Sequence, residues 1–191
     1  MKRLLALVAV AAVALAAAAS ASAHAHISPP VALAKAGQLF TLDVPTEKEG
    51  ATTTKIVLTV PSGFSIDSFV DAPGWKRDVK STGSGENTVI QSVTWSGGNV
   101  PTDEVSHFAF LGRTDASKTY AFSVEQSYSD GSVVNWAGPE SSDTPAPTVE
   151  AKSSFGGGSS TIAIIALVLG GVALILGVIA LVAGGGKRQL A

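Results

Sequence analysis

The run Ala23-His24-Ala25-His26 sets two histidines within overlapping Ala-x-Ala triplets, Ala21-Ser22-Ala23 and Ala23-His24-Ala25. Processing at the first triplet would leave His24 as the leading residue, and processing at the second would leave His26. Either product offers a free α-amine and a ring Nδ1 to one cation, a chelate that an internal histidine cannot make. Nitrogen donors of this kind suit borderline divalent ions, with Cu(II) at the top of the affinity order. Such an ion in tetragonal geometry needs further donors, and a carboxylate is a sensible third. Val44-Pro45-Thr46-Glu47-Lys48-Glu49 ends a predicted strand and offers Glu47 or Glu49. Trp75 and Trp136 read either as core or as an indole beside a cation, where the π face would act. His107, within Ser106-His107-Phe108-Ala109-Phe110, alternates with two phenylalanines and so faces away from them.

Several segments must position these residues. Residues 1–25 have the layout of a secretory signal: Lys2 and Arg3, an apolar stretch from Leu4 to Ala19, then small residues. Residues 161–183 are uncharged and almost wholly Ile, Leu, Val, Ala and Gly, enough to span a hydrocarbon core of about 30 Å at about 1.5 Å per residue. Lys187 and Arg188 follow, so the tail, residues 184–191, is expected in the cytoplasm and the exported part on the extracytoplasmic side of the cell membrane. Between them lie a domain over residues 26–150 and a Gly/Ser linker over residues 151–160.

The region between the apolar ends is the size of one ordinary domain. All 15 acidic residues fall there, against 9 of the 13 basic ones, for a net charge of −6. That balance argues against a nucleic-acid partner. The absence of cysteine removes disulfides, cysteine nucleophiles, thiolate zinc sites and a blue-copper centre together.

Apolar residues alternate with period two at Phe40, Leu42, Val44; at Ile56, Leu58, Val60; at Val89, Val93, Trp95; and at Tyr120, Phe122, Val124. Turn sequences such as Pro61-Ser62-Gly63, Gly83-Ser84-Gly85 and Ser129-Asp130-Gly131 separate them. Short strands at these intervals predict an all-β fold, an antiparallel β-sandwich of immunoglobulin-like or cupredoxin-like type, followed by a C-terminal transmembrane helix. From Glu140 the alternation gives way to a Ser/Pro/Gly-rich stalk, within which Thr148-Val149-Glu150 could form a terminal strand.

The stretches His26-Ile27-Ser28-Pro29, Val44-Pro45-Thr46-Glu47, Pro73-Gly74-Trp75, Val93-Thr94-Trp95-Ser96-Gly97-Gly98 and Asp130-Gly131-Ser132-Val133-Val134-Asn135-Trp136 together resemble the YcnI-like copper-binding family. The resemblance covers nearly the whole exported region. It implies a β-sandwich that binds Cu(II) through a monohistidine brace, with His26 and Glu47 as ligands and Trp136 close by, and it selects His26 over His24 as the first residue. It further implies a membrane-tethered protein of copper homeostasis or a metallochaperone, not an enzyme, with a copper-transporting membrane protein as partner.

Two other classes compete with that expectation. A copper oxidase or polysaccharide monooxygenase also begins with histidine but needs a second one, for which His107 is the candidate. A metal-free adhesion or scaffold ectodomain would need only sandwich, stalk and anchor. A CopC-type protein begins similarly but requires a downstream Asp-x-His, which this chain lacks.

Overall fold

The computed structural model describes residues 24–156 and 161–184. Most of the signal segment, the linker centre (157–160) and the tail beyond Gly184 lie outside the described residues. The chain divides into two compact units, residues 1–153 and 154–191.

The first unit is the expected sandwich. One sheet has the order β1 (His26–Ser28), β3 (Gln38–Pro45), β8 (Val105–Thr114), β5 (Phe64–Phe69). The facing sheet has the order β11 (Val133–Trp136), β10 (Ser123–Tyr128), β4 (Thr53–Thr59), β7 (Val89–Val100), β6 (Lys76–Thr82). Every pairing in both is antiparallel. A small third sheet joins β2 (Val31–Leu33), β12 (Thr148–Lys152) and β9 (Thr119–Ala121), and its β2–β12 pair is parallel. The terminal strand anticipated at Thr148 therefore forms, and the preceding loop is tied back by an isolated bridge between Gly138 and Pro145.

Strand faces follow the period-two pattern because alternate side chains point to opposite sides of a pleated strand. Phe40, Leu42 and Val44 of β3 are all buried, as are Tyr120, Phe122 and Val124. The sheets meet through aromatic contacts: Trp95 of β7 stacks on Phe108 of β8 at 4.2 Å, and Phe64 of β5 meets Phe122 edge-on at 4.9 Å. Trp75 closes one end of this core, edge-on to Phe108 at 5.0 Å and against Gly98, where any β-carbon would collide with the indole. The Pro-Gly-Trp and Gly-Gly stretches thus pack on each other.

Val89 departs from the expected pattern, being half exposed. The β6–β7 register passes from Lys80↔Ser92 to Ser81↔Ile90, leaving Gln91 as the extra residue of a β-bulge. One inserted residue swaps the faces beyond it. Ile90 packs against the core instead, and Val89 turns outward.

The second described unit is a single helix, α1 (Thr161–Gly184). Its stretch Thr161–Leu181 has a mean hydropathy of 3.0, and the helix is long and apolar enough to cross a bilayer.

Candidate functional site

β1 and β11 are edge strands of the two sheets, and the N-terminal segment runs beside both. Ala25 and Ile27 are buried, so they pin the chain entering β1 and leave His24 and His26 on the more exposed side. From there the two histidines part company. The His24 ring lies 6.0 Å from the Trp136 ring, and its charge acts on Glu47. His26 pairs across β1–β3 with Asp43, its Nε2 standing 3.5 Å from Oδ2.

His24 thus stands beside Trp136 and within electrostatic reach of Glu47. His26, the histidine expected at this position, faces Asp43 instead. The physical reason is that residue 26 is held in the β1–β3 ladder, while residue 24 precedes the strand and reaches the edge of the other sheet. His107 also lies against Asp43, its Nδ1 donating to Oδ1 at 2.6 Å, which places it with His26 on that face.

Glu47 follows the last residue of β3 and is aimed by what precedes it. Thr46 is buried, its hydroxyl 2.7 Å from that of Thr53 and donating to the Val100 carbonyl at 3.2 Å. The next residue is tied down as well: Lys48 pairs with Asp130 and donates to Ser132 at 2.7 Å, linking the β3–β4 loop to the β10–β11 turn. Partial burial raises the Glu47 carboxyl above the ordinary glutamate range, and the positive charge of His24 pulls the other way. Burial likewise raises the Tyr128 phenol; a hydrogen bond from the Glu47 backbone opposes this, while the carboxylates of Glu47 and Asp130 add to it. Asp130 itself is held far below the usual carboxylate range by Lys48 and Ser132.

Below these groups is a residue that sequence reasoning missed. Gln126 is fully buried; its Nε2 donates to the Pro45 carbonyl at 2.9 Å and to Thr53 Oγ1 at 2.8 Å, and its Oε1 accepts from Trp136 Nε1 at 2.9 Å. One amide thus fixes both the end of β3 that presents Glu47 and the indole beside His24. The signal was legible: Gln126 shares a strand face with Val124 and Tyr128, so a polar group sat at a core position. Replacing it with leucine should lower stability by about 2 to 4 kcal/mol, since the indole N–H and the Pro45 carbonyl would stay buried without partners. Urea unfolding of the processed protein checks this, and a loss under about 1 kcal/mol would remove the network's structural role.

His24 and Glu47 give one imidazole and one carboxylate. Among the described residues, no three His, Cys, Asp or Glu side chains form a closed metal cluster. A cation here would draw on the α-amine as well, which processing after Ala23 would release. Amine, imidazole and carboxylate together form a donor set suited to a borderline divalent ion.

Comparison with known proteins agrees with this architecture. A protein from Nocardia farcinica, described as uncharacterized with an immunoglobulin-like fold, matches with a TM-score of 0.58 and 30% identity over 68% of this chain and 99% of that one. The copper-binding protein CutI of Bacillus subtilis (strain 168) is 33% identical over 122 residues, 62% of this chain. The match spans 57% of CutI's length. The family described as Domain of unknown function (DUF1775) matches residues 24–151, a span that begins at His24. The chain belongs to that family, the YcnI-like group its sequence motifs resemble.

Proposed function

We propose that this protein is a membrane-anchored, extracytoplasmic Cu(II)-binding protein that holds or passes on copper in copper homeostasis, as a metallochaperone does. The observation that supports the reading is that His24 stands beside Trp136 and within electrostatic reach of Glu47 at one sandwich edge. Copper is the cargo, and the donors fit it: the His24 amine and ring nitrogen form the chelate, Glu47 supplies an anionic oxygen, and Trp136 walls one side. The relative named for copper binding supports the choice of ion. The α1 span supports the anchor, and the basic residues Lys187 and Arg188 beyond it favour a cytoplasmic tail. The partner would be a copper-transporting membrane protein.

The reading without catalysis is the better supported one. An oxidase site would need a second histidine, and His107 is engaged with Asp43 on the opposite side of β3 from the buried Leu42 and Val44.

The test is a competition titration of the processed protein in detergent with Cu(II). Glu47→Gln should weaken binding at the tightest site at least about tenfold, about 1.4 kcal/mol, while His26→Ala leaves that site unchanged. Equal affinity in wild type and Glu47→Gln would reject the ligand set, and no retained copper in the wild type would reject the function.

A further inference from the structure

We infer that His26, Asp43 and His107 form a second divalent-cation site, separate from the His24 site and suited to Zn2+ or another borderline ion. The three residues occupy one row across three neighbouring strands, in register as His26↔Asp43 and Asp43↔His107. They share the outer face of their sheet, with side-chain exposures of 54% for His26, 18% for Asp43 and 66% for His107.

His26 Nδ1 lies 3.2 Å from the His24 carbonyl, so the other ring nitrogen is the one turned toward Asp43. This Nε2 stands 3.5 Å from Asp43 Oδ2. The spacing suits a metal: two ligands about 2.0 to 2.1 Å from a tetrahedral Zn2+ lie about 3.4 Å apart.

Among the described residues, no Lys or Arg pairs with the Asp43 carboxylate, and its ion pairs are with these two histidines. The flanking rows are Ser28, Thr41 and Ala109 on one side and Pro45 and Val105 on the other, with no Lys or Arg among them. The three side chains are not closed around one point. His26 and Asp43 stand at ligand spacing, and His107 completes the site by releasing Oδ1 and turning its ring onto the ion. Being exposed, it can turn at little packing cost.

The experiment is a Zn2+ titration of the full processed protein in detergent micelles, followed by the nitrogen resonances of the histidine rings. His26 and His107 should shift together and saturate, and should still do so in His24→Ala. Asp43→Asn and His107→Ala should each weaken the response at least about tenfold, with circular dichroism unchanged. A response confined to His24, or a His26 response indifferent to both variants, would overturn the site. Because His24→Ala removes the copper site proposed above and leaves this triad intact, the two readings fail independently.

Discussion

A protein carrying one extra residue ahead of His24, or an acetyl group on the His24 amine, will bind Cu(II) at least about a hundredfold more weakly than the protein that begins at His24. About 2.7 kcal/mol is the corresponding loss. An amide nitrogen has no basic lone pair, so the blocked chain loses one chelate arm while keeping the same fold, the same ring and the same Glu47. The chelate would open into two separate, weaker contacts. Processing at the second triplet would be worse still: it would remove His24 and the buried Ala25, and the new leading residue, His26, stands beside Asp43. Intact mass of the protein from its native membrane should therefore show His24 first, and Cu(II) competition titration should separate the free from the blocked form. A protein that begins at His26 and holds copper equally well would end this assignment.

The strands were legible because one buried face and one solvated face impose a period of two, and β3 with its three buried apolar residues carries that pattern cleanly. The alternation failed at Val89, where a single unpaired residue reversed the faces, because a bulge leaves no mark in hydrophobicity alone. The proposed site was only partly open to sequence reading. Glu47 and Trp136 were named from their motifs, but the choice between His24 and His26 was not available from local pattern: two residues apart, they have the same parity. What separates them is long-range, namely which residue enters the β1–β3 ladder and which reaches the edge of the facing sheet. The His26–Asp43–His107 row was hidden for a similar reason, since its members lie far apart in the chain and only strand order makes them neighbours.

Copper affinity should fall steeply as the pH drops from about 7.5 to 5. Coordination needs the α-amine and the imidazole deprotonated, and their reference values are about 7.7 to 8.0 and about 6.5. Between those values one proton must be displaced, and affinity should drop about tenfold per pH unit; below the imidazole value two must leave, and the loss should approach about a hundredfold per unit. Glu47 adds a third contribution of known sign. Its carboxyl is raised by burial, so as the pH falls it takes up its proton sooner than an ordinary glutamate, and the anionic ligand is lost at higher pH. Glu47→Gln should therefore bind more weakly at neutral pH yet show a shallower decline at the acid end, since it has one proton fewer to displace. Competition titrations of both proteins at half-unit intervals would show this, and a flat profile in the wild type would exclude the amine and imidazole as ligands.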